Sequence, residues 1–237
     1  MKDFLLNNYM FVNLAVVFIA AVSGLFLFKK YKQIPVKYFI YLLVYVFVTD
    51  LLGSYTRILK HIDLYYLIDN TVFKFNFWWH NLTWYLGSTF FFVLFYKKII
   101  QSNFLKKILQ YALVVFLIIS IVSIAINFKQ FFEGTPKVVK IGHMSLTMLC
   151  VAFYLYELLL TEKVIEFYKD IYFYISAIVL IWLLVTIPLV HFVCGNASTD
   201  PNQAELKWMI MLYANIFMYI SFAAILIFSK PKNEFIN

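Results

Sequence analysis

Charge is almost absent from seven long stretches of this chain, and that distribution constrains the fold more than any motif does. The apolar runs cover residues 9–28, 36–55, 72–96, 105–127, 139–160, 171–193 and 206–229. At about 1.5 Å of rise per residue, a helix of about 20 residues crosses a hydrocarbon core about 30 Å thick. Inside lipid every backbone N–H and C=O must find a partner within the protein, so a single apolar run crosses as a helix. The expected fold is all-α: a polytopic membrane helical bundle with seven transmembrane helices, forming a single transmembrane domain over residues 1–237. The composition agrees, with 64% hydrophobic and 14% charged residues, against about 25% charged in a typical soluble domain. No stretch is long or polar enough for a separate soluble module.

Lysine placement predicts the threading. Of the 20 basic residues, 12 fall on one side of seven spans and 8 on the other, and Lys29-Lys30, Lys97-Lys98 and Lys106-Lys107 all share the richer side. The positive-inside rule makes that side cytoplasmic. The N-terminus is then outside and the C-terminus cytoplasmic, in a multi-pass protein of the cytoplasmic (inner) membrane. The run at 9–28 is too long for a signal-peptide core and lacks an A-x-A site, so it reads as a retained first span. Segment 56–71 is too polar to span and is expected to lie along the interface.

A net charge of +8 raises nucleic acid as a partner, but no basic face is clustered outside the spans, and none is expected. The lysines instead flank spans, where they meet anionic lipid heads, so the bilayer itself is the first partner. Cys150 and Cys194 fall at different depths, beyond disulfide reach.

Polar groups inside spans are costly and mark function or helix–helix bonding. Asp50, His80, His143, His191 and Asn215 come from five different spans and all fall toward one end of them. With Arg57, Asn81 and Trp84 they are the candidates for a pocket opening outward; Glu157 is the inner-side exception. A competing reading has each group bonding a neighbouring helix or reaching the interface. On the fifth span His143, Thr147, Cys150, Tyr154 and Glu157 recur at i, i+4, i+7, i+11 and i+14, a stripe expected to face other helices. Asp50 and Arg57 share a face of the second span, either as separate groups or as a pair able to hold an anion. Trp78 and Trp79 read as interfacial belt residues. Pro188 is expected to disturb the sixth span near His191.

Four classes of function are consistent with seven spans. Retinal binding needs a lysine within the last span, and only Lys207, at its edge, is available; no cofactor is predicted. The segment Asp50-Leu51-Leu52-Gly53-Ser54, with histidines elsewhere, resembles the seven-helix ceramidase-like hydrolases, which use a serine, an aspartate and several histidines around zinc. That resemblance implies an intramembrane zinc-dependent hydrolase; no metal is expected, and if one is held the candidates are His80, His143 and His191, since three histidines suffice to bind zinc with an open water position. The chain departs from the family by lacking paired histidines on the last helix, and it has no H-x-x-x-H spacing. A small-solute or proton-coupled transporter would want broken helices at matching positions, and only Pro188 breaks a span. The fourth class is a non-enzymatic bundle that binds a ligand or partner and passes a signal to another membrane or signalling protein. The runs YFIYLLVYVFVTDLLGSY and YFYISAIVLIWLL resemble uncharacterised seven-span bacterial membrane proteins, which implies the topology and no activity. The polar cluster and the lack of catalytic spacing favour this fourth class.

Overall fold

A computed structural model describes residue 5 and residues 8–192 and 201–229, with side chains left out at 162–164, 190–192 and 201–202. Among the described residues all regular structure is helical. Six helices are long and apolar enough to cross a membrane: Tyr9–Phe26, Val36–His61, Asn103–Ile126, Lys137–Leu159, Ile171–Leu189 and Gln203–Phe228. The chain thus has the make-up of a multi-pass membrane protein.

The long elements are α1 (Tyr9–Phe26), α2 (Val36–Gly53), α3 (Phe77–Ile99), α4 (Asn103–Ile126), α5 (Lys137–Leu159), α6 (Ile171–Phe192) and α7 (Pro201–Phe228). Element α3 is a composite. It runs as α-helix over Phe77–His80, π-helix over Asn81–Ser88 and α-helix again over Thr89–Ile99. It is not among the six. The apolar run at 72–96 also begins too early, because Val72–Lys74 is a short 3₁₀ turn and Phe75 is extended, with φ −113° and ψ 153°. Lys74 and Asn76 therefore lie before the helix rather than inside it. Segment 56–71 holds two short helices, within Tyr55–His61 and Tyr66–Asp69, joined through Asp63 at φ 56°. Their exposed Ile58, Ile62, Leu64, Tyr66 and Leu67 suit an interfacial position.

The chain divides into two compact units, one of residues 1–44 and 158–237, the other of residues 45–157. In the first, α7 packs against both α1 and α6. Phe39 and Phe222 meet edge to face, with ring centroids 4.8 Å apart. Gly24 allows Ile40 close, since a Cβ there would lie 3.0 Å from Ile40 Cγ2. Apolar contact gives no selective drive between helices in lipid, so polar bonds specify the pairing. Trp182 Nε1 donates to Asn215 Oδ1 at 2.9 Å, and Asn215 Nδ2 donates to Asn13 Oδ1 at 2.9 Å. One asparagine thus ties α6, α7 and α1 together. Asn215→Leu should cost about 1–2 kcal/mol, the range for interhelical bonds in membranes, measured by unfolding in mild detergent. An unchanged midpoint would deny the clamp.

At the other end of this unit, Tyr31 OH donates to the carbonyls of Leu226 at 2.8 Å and Ser229 at 3.1 Å. Lys30 Nζ reaches Leu226 O and Ile227 O, each at 3.4 Å. These donors meet the carbonyls that a helix C-terminus leaves unpaired. Burial pushes the Tyr31 phenol up to about 12. The phenol's ordinary value is 10.0, so its contribution to stability is complete below that pH and is lost as pH rises toward 12. Relative to the wild type, Tyr31→Phe should flatten the stability profile across that window in thermal unfolding. A parallel pair of profiles would count against the clasp.

Candidate functional site

The second unit holds the π-helix, and the sequence explains how it persists. A π-turn bonds i→i+5 and leaves carbonyls poorly matched to the neighbouring α-turns. Asn81–Ser88 and its flanks carry the hydroxyls that meet them. Thr83 Oγ1 donates to Trp79 O at 2.8 Å. Ser88 Oγ donates to Trp84 O and Thr89 Oγ1 to Tyr85 O. From α2, Tyr45 OH donates to Thr83 O at 3.0 Å. That last bond needs close approach. A Cβ on Gly87 would sit 1.9 Å from Tyr45 OH, so only glycine fits there without displacing the phenol.

Three further bonds fix the start of α3. Asn76 Nδ2 donates to Gly53 O at 3.0 Å and Trp79 Nε1 to Thr49 O at 2.7 Å, closing the C-terminal end of α2. Trp78 Nε1 donates to Tyr55 OH at 3.1 Å, and Tyr55 OH in turn donates to Phe73 O and Phe75 O. Trp78 and Trp79, expected as interfacial belt residues, act here as clasps.

Asn81 is fully buried. Its Nδ2 donates to Phe131 O at 3.0 Å and Gly134 O at 2.8 Å. Both carbonyls belong to the short helix Phe128–Glu133 and the turn after it, so Asn81 latches that segment onto the π-helix. Asn81 Oδ1 is left without a partner.

On α5, His143, Thr147, Cys150 and Tyr154 are all buried, and the stripe read from their spacing faces protein as expected. Gly142 lets Phe116 of α4 lie against α5, since a Cβ would meet its ring at 2.5 Å. His143 Nδ1 lies 2.7 Å from Thr89 Oγ1. Thr89 Oγ1 also meets Tyr85 O, and the direction of the His143–Thr89 bond follows the imidazole tautomer. The second ring nitrogen of His143 is Nε2. That atom is buried and has no partner. Around His143 stand Tyr85, edge-on with ring centroids 5.4 Å apart, and Trp84 at 5.9 Å. His80 meets Tyr85 edge-on at 5.2 Å and lies nearly parallel to Trp84 at 6.3 Å.

Of the eight pocket candidates, the rings of His80, Trp84 and His143 lie in one set of aromatic contacts through Tyr85, and Asn81 follows His80 at the start of the π-helix. Asp50 and Arg57 lie on α2 and the short helix after it. No ion pair joins them, and Arg57 is exposed, so the paired anion-holding arrangement is not formed. Asn215 belongs to the first unit and is engaged by Trp182 and Asn13. The side chain of His191 lies outside the described residues, as does Cys194; Cys150 carries a free buried thiol. Among the described residues no three His, Cys, Asp or Glu side chains form a metal-binding group. Glu157 accepts from Gln101 N–H with both oxygens, at 3.0 and 2.8 Å, and from Ser102 N–H at 2.8 Å. It holds the turn entering α4, which accounts for a carboxylate at the C-terminal end of α5.

Spacing arguments missed Tyr85, Ser88 and Thr89, because polar groups were weighed by cost in lipid and hydroxyls are cheap. The readable signal was Thr83, Gly87, Ser88 and Thr89 crowded within two turns. No protein-family model matches the chain, and no curated protein or solved structure shows significant similarity to it.

Proposed function

We propose that this protein is a ligand-binding membrane bundle of the sensor type, with α3 as a seventh span and the cluster His80, Asn81, Trp84 and His143 lining a pocket toward the outer face. The observation that supports this reading best is the buried His143 Nε2 without a partner. A polar atom left bare in a low-dielectric interior costs about 1–3 kcal/mol, and such an atom suits a ligand that completes it. Counting α3 restores the threading in which the N-terminus is outside and the C-terminus is cytoplasmic, within an inner membrane. The bundle would pass its state to another membrane or signalling protein. The π-helix supports the same reading, because such segments frequently accompany functional sites.

Impermeant thiol labelling in a Cys150→Ala, Cys194→Ala background tests both parts. Gly134→Cys should react from outside and Gln101→Cys only after the membrane is opened. Trp84→Cys should react from the same side as Gly134→Cys, more slowly. Reaction of Trp84→Cys only from the Gln101 side would overturn the outward pocket. Reaction of Gly134→Cys and Gln101→Cys from one side would overturn the seventh span.

A further inference from the structure

The turn between α3 and α4 carries positive charge that nothing around it answers. Lys97 lies in the last turn of α3, and Lys106 and Lys107 lie near the start of α4. No acidic residue stands between Asp69 and Glu133 in the chain. Glu157 reaches this turn, but its oxygens accept the N–H groups of Gln101 and Ser102. Lys97 Nζ donates to Gln110 Oε1 at 2.9 Å, a neutral partner. Among the described residues no ion pair involves Lys97, Lys106 or Lys107. Lys98 beside them is engaged elsewhere.

Helical spacing places the three ammonium groups together. Gln110 follows Lys106 by four residues and Lys107 by three, so they share a side of α4. The bond to Gln110 brings the Lys97 ammonium to that same side. The turn itself is fixed, by Glu157 and by Ser102 Oγ, which accepts from Leu105 N–H at 3.4 Å and caps α4. Past Lys107 the apolar face of α4 lies open. Tyr111, Val115, Ile118 and Val122 recur at helical spacing, and all four are exposed. Only 17% of the α4 span is buried in the protein, against 28–44% for the other five helices able to cross a membrane. Cations at one end of a bare apolar stripe match the outline of a phospholipid, with acyl chains along the stripe and a phosphate at the lysines. The charge balance selects the headgroup. A zwitterionic lipid brings a cation of its own to a place already rich in cations, whereas an anionic one brings only the missing charge.

We propose that the α3–α4 turn and the open face of α4 bind an anionic phospholipid of the adjoining leaflet, with its phosphate at Lys97, Lys106 and Lys107 and its chains along α4 from Tyr111 to Val122. The lysine stems lie along apolar surface while their charged heads stay at the interface. Juxtamembrane lysines attract anionic lipid by a factor of about fivefold each. The site shares no residue with the His143 cluster and stands or falls separately from it.

The test uses full-length Cys150→Ala, Cys194→Ala protein in phosphatidylcholine nanodiscs, with a fluorophore on Val114→Cys. Phosphatidylglycerol or phosphatidylcholine carrying an acyl-chain spin label is added as quencher. Phosphatidylglycerol should quench more strongly at equal mole fraction. A fluorophore on Ile126→Cys, at the far end of α4, should be quenched equally by both. Lys106→Gln with Lys107→Gln should lower the relative affinity for phosphatidylglycerol about fivefold per lysine. Gln110→Glu keeps every lysine, supplies the missing acid and should lower it too, and it reads the site if the lysine variant fails to fold. Lys29→Gln with Lys32→Gln removes the same charge elsewhere and should leave it unchanged. Sodium phosphate should displace the lipid no more than sodium chloride of equal ionic strength. Equal quenching by the two lipids at Val114→Cys, the same preference at Ile126→Cys, an equal loss in the Lys29, Lys32 variant, or displacement by free phosphate would each overturn the proposal.

Discussion

Replacing Gly87 by alanine should lower the thermal midpoint of the purified protein by several degrees, by forcing α2 away from the π-helix. The added methyl would occupy space within 1.9 Å of Tyr45 OH and 2.7 Å of its ring carbon. Overpacking of this kind costs about 1–3 kcal/mol. A second loss follows, because a displaced Tyr45 can no longer donate to Thr83 O, and a carbonyl in lipid has no water to turn to. The two losses share one cause, so a double-mutant cycle separates them. In a Tyr45→Phe background the hydroxyl is gone and Thr83 O is already unpaired. Gly87→Ala should then cost less than it does in the wild type, with a coupling above about 0.5 kcal/mol. Additive effects would mean that the close approach at Gly87 and the bond to Thr83 O are independent, contrary to the geometry.

Asn81→Leu should release the segment Phe128–Glu133 while leaving the first unit intact. Leucine keeps the branched outline of asparagine, with more bulk and no donor, so Phe131 O and Gly134 O lose their partner. Each buried carbonyl left unmatched costs about 1–3 kcal/mol. The loss should appear locally, as at least tenfold faster amide exchange at Phe131 and Gly134, whose N–H groups bond Asn127 O and Gln130 O within the segment. Amides of Tyr9–Phe26 serve as the internal reference and should not change. Faster exchange spread evenly over both would show a global loss of stability in place of an opened latch. Retained protection at Phe131 would show that the ring contact of Phe132 with Phe73, at 6.0 Å, holds the segment without Asn81.

Much of the architecture was readable because lipid makes helical apolar runs nearly obligatory. Six of the seven runs correspond to helices long and apolar enough to cross a membrane. The stripe from His143 to Tyr154 was readable for the same reason that helical spacing always is, and its burial follows. The third run was not readable in detail. Hydropathy averages over Lys74 and Asn76 and cannot tell an α-turn from a π-turn, since both satisfy the backbone internally. The composition of the candidate site was half visible. His80, Asn81, Trp84 and His143 stood out as costly or large; the rings of His80, Trp84 and His143 share contacts through Tyr85, while Asn81 is bonded to Phe131 O and Gly134 O. Depth alone could not separate Asn215, whose bonds are to Asn13 and Trp182, from groups with atoms still bare. Glu157 looked like an intramembrane charge and proves to accept three backbone N–H bonds at a turn. In each case the missing information was the partner, which spacing along one helix does not contain.

The account's central claim is that His143 presents an unpartnered ring nitrogen to a ligand inside the second unit. A density map of the protein in lipid nanodiscs tests it most directly. The account predicts non-protein density within hydrogen-bonding distance of His143 Nε2, flanked by Trp84 and Tyr85, with Asn81 still bonded to Phe131 O and Gly134 O. A map in which a protein donor fills that distance, with no room for another group, would contradict it.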